Sequence, residues 1–329
     1  MTRTIRIGTR GSALAVAQTG TIAAALEQAG AQVGIVRIST PGDLSSAPIP
    51  RIGVGVFTSA LREALLTNQI DVIVHSYKDL PTAPEPGIVL AAVPPRADPR
   101  DALIARDGLT LGELPPGSRV GTGSPRRTAQ LRALGLGLEI VPIRGNIDTR
   151  MRKVADGELD AVVLARAGLV RIGRGDEITE TLDPIQMLPA PAQGALAVEC
   201  RVDDVDIEYL LRATVDDEAT RFAVTAERAL LAALEAGCSA PVGALAEVVE
   251  DLDGDGAVTD HIQRIETWMP IDGDLQDALA TMLLTRVGWV SVLDGDRFVG
   301  VLTPEAVYRT LRQSLDEQAS DGAGNVAEA

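Results

Sequence analysis

Three short segments set arginine inside Gly/Ser/Thr-rich turns: Gly8-Thr9-Arg10-Gly11-Ser12, Gly121-Thr122-Gly123-Ser124-Pro125-Arg126-Arg127 and Arg144-Gly145-Asn146-Ile147-Asp148-Thr149-Arg150. Each stands where an apolar, strand-like run gives way to a helix-like pattern. Backbone N–H groups at a helix start then join guanidinium forks in facing one anion, for which carboxylates or phosphates are the natural ligands. One such turn is ordinary punctuation between strand and helix. Three of them, on a chain of formal net charge −16, point to a focused anion site. A fourth segment, Asp71-Val72-Ile73-Val74-His75-Ser76-Tyr77-Lys78-Asp79-Leu80-Pro81, reads as a buried strand that delivers polar side chains at its C-terminal end. In α/β sheets that end faces the ligand cleft, which makes it a catalytic candidate beside the arginine turns. Standing alone it is equally a hydrogen-bonded strand-end network.

Composition excludes several classes. A chain of 329 residues with 46% hydrophobic and 23% charged content has room for two or three domains with real cores. No apolar run approaches the roughly 18 to 20 residues that cross a bilayer. Met1-Thr2-Arg3-Thr4-Ile5 leads into a strand pattern rather than a signal peptide, so a cytoplasmic protein with no membrane partner is expected. The acidic total and 2% aromatic content argue against a nucleic-acid surface and favour a small anionic ligand. Cys200 and Cys238 are the only cysteines and His75 and His261 the only histidines, with no CxxC spacing, so neither a metal site nor a disulfide framework is expected.

The elements that must position these residues alternate strand and helix up to about residue 213, which implies parallel βαβ units. The first half reads as a strand at Thr4 to Ile7, a helix from Ser12 to Gln28, a strand at Gly34 to Ile38, a helix from Phe57 to Thr67 and a strand at Ile70 to Val74. The second reads as Arg119 to Gly121, a helix from Pro125 to Leu134, Leu138 to Val141, a helix from Asn146 to Ala155, and Ala161 to Leu164. Prolines in 91–100 and in 188–194 suit two stiff crossovers between α/β lobes. The expected lobes are 1–97 with 194–213, and 98–193, with a cleft between them.

A helix from Asp216 to Glu235 follows, with apolar Phe222, Ala226, Ala229, Leu230 and Leu234 on one side, and it stops at Gly237 just before Cys238. Glu250 to Gly256 is an acidic, Gly-rich linker that lacks the closing glutamate of an EF-hand. Residues 258–315 have a different grammar: a helix through Leu275, Leu279, Met282 and Leu283, strands Trp289 to Leu293 and Arg297 to Leu302 around Asp294-Gly295-Asp296, and a last helix after Thr303-Pro304. Residues 316–329 read as a disordered tail.

Taken in order, these motifs resemble those of the porphobilinogen deaminase (hydroxymethylbilane synthase) family over about residues 3 to 256. The resemblance rests on the three arginine turns, Val74 to Pro81, Pro99-Arg100-Asp101-Ala102, Gln193-Gly194-Ala195-Leu196, and Glu235-Ala236-Gly237-Cys238-Ser239-Ala240-Pro241-Val242-Gly243. It implies an α/β fold of two periplasmic-binding-protein-like lobes and an α+β third domain, here shortened to 214–257. It also implies a transferase of porphyrin and haem biosynthesis that condenses four porphobilinogen units into linear hydroxymethylbilane with release of ammonia. A thioether would join Cys238 to a dipyrromethane cofactor built from two porphobilinogen units, and a growing polypyrrole chain would be the other partner. Asp79 would be the catalytic carboxylate, its fixed anion stabilising the electron-poor azafulvene and the pyrrole N–H groups. Arg10, Arg126, Arg127, Arg144 and Arg150 would bind acetate and propionate groups, a load that planar forks suit better than lysines. Ser12, Thr122, Ser124, Gly145 and Asn146 would add neutral donors. Ser76, Lys78, Arg171 and Gln193 would lie along the cofactor.

The chain departs from the family pattern in two places. Many members carry lysines near Val54 and Ser59, so this lid segment has lost positive charge. From about Ala257 the sequence resembles a single CBS module, β-α-β-β-α, of the kind appended to ATPase subunits of osmolyte transporters. Such modules pair and bind adenosine nucleotides, which implies a monomer that can dimerise through its tail. Two other functions fit parts of the pattern: a carboxylate- or phosphate-binding module, which needs neither Asp79 nor Cys238, and a regulatory protein whose tail senses adenine nucleotides.

Overall fold

The computed structural model describes residues 3–39, 58–234 and 240–248, together with the backbone of three strands within 268–302. The chain divides into two compact units, Met1–Val249 and Glu250–Ala329.

The first unit is α/β and holds two mixed five-stranded sheets. It opens with β1 (Thr4–Thr9), α1 (Ala13–Gln28), β2 (Gln32–Arg37), α2 (Ser59–Leu66), β3 (Val72–Ser76) and β4 (Ile88–Ala92). The chain then crosses to a second sheet formed by β5 (Asp101–Ala105), β6 (Arg119–Thr122), β7 (Glu139–Pro142), β8 (Ala161–Ala165) and β9 (Glu180–Thr181). Helices α3 (Pro125–Ala133), α4 (Ile147–Ala155) and α5 (Arg166–Arg171) lie between those strands. It returns as β10 (Leu196–Arg201) and ends in α6 (Val205–Val215) and α7 (Glu218–Ala233). The sheet orders are β2-β1-β3-β10-β4 and β7-β6-β8-β5-β9.

Strand–helix alternation predicts parallel neighbours, and β1 does pair in parallel with β2 and β3, as β6 does with β7 and β8. β10 is antiparallel to β3 and β4, and β5 is antiparallel to β8 and β9. These two strands are the ones the chain reaches by crossing from the other sheet. No helix on their own sheet precedes them, so the rule that holds βαβ units parallel does not act on them.

Period-2 and period-3.6 patterns fill both faces of each sheet. Ile5 and Ile7 of β1 meet Ile22, Ala23 and Leu26 of α1 and Ile207 and Leu211 of α6 on one face of the first sheet. Ile73 meets Leu61 and Leu65 of α2 on the other. In the second sheet Val120 and Leu103 pack under Leu131 of α3, while Val162 and Leu164 pack under Met151 of α4 and Leu169 of α5. Each such fully buried aliphatic side chain contributes about 1.5–3 kcal/mol of burial free energy.

Helix α7 turns an unexpected side inward. It buries Thr220, Ala223, Val224, Glu227 and Leu231, whereas Phe222, Leu230 and Leu234 of the apolar stripe stay exposed. Glu227 explains the orientation: its carboxylate takes a two-pronged hydrogen bond from Arg96 (2.6 and 3.0 Å) and backbone N–H groups of Ala192 (2.6 Å) and Ala246 (2.9 Å). A carboxylate with four charge-assisted or backbone bonds outweighs the apolar preference of the opposite side.

In the second unit β11 (Trp268–Pro270) pairs in parallel with β12 (Val290–Asp294), which pairs antiparallel with β13 (Arg297–Leu302). The strand pair around Asp294-Gly295-Asp296 is therefore present. The lid at 52–57, Cys238 with its neighbours 235–239, the linker 250–256, the helices expected through Leu275 and after Thr303-Pro304, and the tail 316–329 lie outside the described residues. Among the described residues no helix is long and apolar enough to cross a membrane.

Candidate active site

The C-terminal end of β3 runs into a single 3-10 turn, Tyr77–Asp79. Its front is fixed to β10 by the Tyr77 N–H donating to the Ala195 carbonyl (3.0 Å), and Gln18 of α1 donates to the Ser76 hydroxyl (2.9 Å). The turn leaves Asp79 exposed and sends Lys78 inward, where its ammonium donates to Gln193 Oε1 (3.1 Å). Burial, with Arg127 and Arg126 nearby, pushes Lys78 down to about 8, against the pull of Asp79 and Asp101.

Gln193 is fully buried on the returning crossover and passes the contact on, its amide donating to the Pro99 carbonyl and to Asp101 Oδ1, both at 2.7 Å. Gly194 follows at φ +89, packed so closely on the Ala97 carbonyl that any Cβ would collide with it. Glycine is what lets the two crossovers touch. Arg171, from α5, donates to the Gly194 carbonyl (2.6 Å).

On the second sheet, β6 ends at buried Thr122, whose hydroxyl accepts from the Ser124 N–H (3.2 Å). Ser124 caps α3, with Pro125 in the first turn. Ser12 caps α1 and Asn146 caps α4 in the same way; the Asn146 side chain accepts from the Thr149 N–H (2.8 Å) and hydroxyl (2.9 Å). All three arginine turns therefore are helix N-caps, each bringing unpaired N–H groups and a positive helix end.

Arg126 and Arg127, expected on substrate carboxylates, are buried and turned onto Asp101. Arg126 Nη2 and Arg127 Nη2 each donate to it at 2.7 Å, and Arg127 Nη1 also donates to the Val163 carbonyl (3.0 Å). Burial alone would raise Asp101, yet Arg127 and Arg126 hold it down at about 2. Arg126 Nε remains buried without a hydrogen-bond partner. Arg150 donates to the Gly145 carbonyl (2.8 Å), and burial beside Arg127 and Arg144 pushes it down to about 10.

The positive charge of Arg127 thus acts on both Lys78 and Arg150 and holds each of them down. Among the described residues Lys78, Arg126, Arg127 and Arg150 outnumber the carboxylates Asp79 and Asp101, a surplus of positive charge that suits a polyacid. Arg10 and Ser12 stand at the end of β1 and the start of α1, on the lobe that carries Asp79. Elsewhere, a depression of about 640 Å³ flanks α4, lined by Met151, Arg152, Arg174, Asp148 and Glu177. Arg174 there is already held by Asp148 (2.7 Å) and Glu177, so that surface is the poorer anion site.

Residues 5–209 match the family model of the porphobilinogen deaminase dipyrromethane cofactor binding domain, and residues 221–278 match that of the porphobilinogen deaminase C-terminal domain. The chain belongs to the porphobilinogen deaminase family. Porphobilinogen deaminases of Nocardia farcinica and Mycobacterium bovis are 65% and 64% identical to it over 269 residues, 82% of this chain and 78% and 87% of their own lengths. That of Mycobacterium marinum is 63% identical over 82% of this chain and 85% of its own. A solved periplasmic substrate-binding protein of an ABC transporter from Coxiella burnetii aligns with 66% of this chain and 94% of its own, at 16% identity and a TM-score of 0.42.

The C-terminal domain match runs past residue 256, where the motif resemblance stops, into the stretch compared with a CBS module. Membership in the porphobilinogen deaminase family makes the chain a hydroxymethylbilane synthase, a transferase of tetrapyrrole synthesis that uses a dipyrromethane cofactor. The residues present fit such a group: an orphaned guanidinium N–H on Arg126, a cation excess and three capped helix starts suit a chain of carboxylates.

Reading motifs alone gave no site role to Asp101, although it stands in Pro99-Arg100-Asp101-Ala102, and none to Arg96, Glu227 or Arg228. Asp101 had a signal, an acid opening the apolar run Asp101-Ala102-Leu103-Ile104-Ala105. The other three had none, because their partners lie far away along the chain.

Proposed function

We propose that Asp79 and the Lys78–Arg127–Arg150 cluster form the working centre, with the cofactor attached through Cys238. The observation that carries this is the hydrogen-bonded chain Lys78–Gln193–Asp101–Arg127, which ties the turn that exposes Asp79 to the arginines of the second sheet. Cys200 supports the assignment of the sulfur. It is 0% exposed in the core of β10, and burial pushes its thiol up to about 12, so it cannot act as the nucleophile. Cys238 is the remaining cysteine.

The reaction breaks the aminomethyl C–N bond of porphobilinogen, releases ammonia, and forms a C–C bond to a pyrrole α-carbon that then loses its proton. When bound, dipyrromethane supplies the first such carbon. The exposed Asp79 carboxylate stabilises positive charge that develops on the methylene and ring nitrogen, and it holds the pyrrole N–H in register. Arg144, Arg150, Arg10 and Arg171 hold ring carboxylates. Arg126 and Arg127, already tied to Asp101, act as a fixed positive floor. Ser12, Thr122, Ser124 and Asn146 keep the helix starts in place, and Gly145, at φ +105, shapes the turn before α4.

Intact mass tests this reading. Protein made with porphobilinogen available should exceed its sequence mass by one dipyrromethane, and Cys238→Ser should remove that increment. An unmodified wild-type mass would overturn it.

For the tail, a CBS-like reading needs of its strands the parallel pairing of β11 with β12 and the antiparallel pairing of β12 with β13. Calorimetry with AMP and ATP tests nucleotide binding there, and absence of heat together with an unchanged melting temperature would dismiss it.

A further inference from the structure

We infer that Arg228 is a positioning residue that fixes where Asp79 sits and ties that position to the helix leading to Cys238. This rests on the roles proposed above for Asp79 and Cys238. The Arg228 guanidinium lies 4.5 Å from the centroid of the Tyr77 ring. Its Nη1 donates to the carbonyls of Tyr77 (3.4 Å) and Leu80 (3.1 Å), and its Nη2 donates to the carbonyl of Pro81 (2.5 Å). These acceptors bracket Asp79 on both sides.

A turn this short cannot hold itself. Its own hydrogen bond is Leu80 N–H to the Tyr77 carbonyl (3.1 Å), and 3-10 geometry is weak. Among the described residues no hydrogen bond holds the Asp79 carboxylate, so the backbone of the turn decides its place. Arg228 supplies the rigid back wall: a planar fork reads two directions at once, and stacking on Tyr77 fixes its plane. The wall stands on firm ground, because the preceding residue, Glu227, bolts α7 to Arg96, Ala192 and Ala246. Six residues after Arg228 the described helix gives way at Leu234, shortly before Cys238. One side chain thus links the turn of the carboxylate to the helix that precedes the sulfur.

The test uses the full chain made with porphobilinogen available, as wild type, Arg228→Gln, Arg228→Lys, Asp79→Asn and Arg221→Gln. Arg221 lies on the same helix but bonds Asp216 and the Ala91 carbonyl instead. Arg228→Gln should keep the dipyrromethane mass increment and a KM within about twofold, while kcat falls about 10- to 100-fold, the scale set by a misplacement of roughly 1 Å. Arg228→Lys should fall between Gln and wild type, and Arg221→Gln should keep wild-type kcat. A loaded Arg228→Gln protein with wild-type kcat overturns the inference, as does an equal kcat loss in Arg221→Gln. If Arg228→Gln does not load, wild-type kcat in loaded Arg228→Lys overturns it equally. Full turnover by Asp79→Asn would instead bring down the assignment of Asp79 itself, so the two failures are distinguishable.

Discussion

Two aspartates open apolar strands in this molecule, and both are wholly buried among arginines. Asp71, before β3, takes Arg6 through Nε and Nη2 (each 2.9 Å), Arg201 through Nη2 (3.2 Å) and a further bond from Arg3. Asp101, at the start of β5, takes Arg126 and Arg127. Locally they are the same device, a desolvated carboxylate neutralised by forks. Strand direction separates them. β3 is parallel to β1, so Asp71 sits at the end remote from the Asp79 turn. β5 is antiparallel to β8, with Asp101 opposite Ala165, so its start lies at the C-terminal edge of β8. The same motif is scaffold at one end and part of the site at the other, where Gln193 couples it to Lys78.

The largest expected effect sharpens what the cleft end is for. Asp79→Asn should lower kcat about 10²- to 10⁴-fold, the range for losing a positioned acid–base or electrostatic group. Its melting temperature should stay near wild type, because Asp79 is exposed and anchors nothing. Steady-state kinetics with a thermal melt checks both.

Next comes the pair that could break the comparison. Asp71→Asn and Asp101→Asn each leave buried guanidinium groups unpaired and should each cost about 3–5 kcal/mol in denaturant unfolding. Only Asp101→Asn should also lower turnover of the folded, loaded protein. Equal turnover loss in both would show that the two ends do not differ in function.

A pH series gives a smaller effect. Asp101 is depressed in the fold, so its contribution is present above the usual carboxylate range and lost as pH falls toward about 2; Glu199, held by Arg62 and His75, behaves alike. Asp101→Asn should flatten that acid limb. Lys78 shifts the other way: the fold binds fewer protons than the unfolded chain between about 8 and 10.5, so its contribution to stability rises with pH there. Loss of that ammonium weakens the anion site over the same window, so KM should climb above about pH 8 while the folding penalty of burying a charged Lys78 falls away. A Lys78→Gln protein should lose both trends.

The smallest is a cap. Asn146→Ala should cost about 1 kcal/mol, with kcat changed only slightly, measured by urea unfolding.

Much of this was legible in the sequence. The helices expected from Pro125 to Leu134 and from Asn146 to Ala155 are the observed Pro125–Ala133 and Ile147–Ala155. Ser and Asn caps and a proline in the first turn are local signals, and the bonds they make are local too. The side of α7 that turns inward was not legible. Periodicity singled out Phe222, Leu230 and Leu234, yet Glu227 faces in, because its partners Arg96 and Ala192 come from elsewhere in the chain. Arg126 and Arg127 were visible as an anion signal, but the anion they hold is the protein's own Asp101.

The sequence by itself determined which residues are charged, where strands give way to helices, and which turns can cap them, since each depends on neighbours a few positions apart. Tertiary structure decided which buried aspartate belongs to the site, since strand direction depends on pairings some sixty residues apart, such as Asp101 with Ala165. It also decided which cysteine is sealed, because only the packing of β10 shows that Cys200 has no water to ionise into.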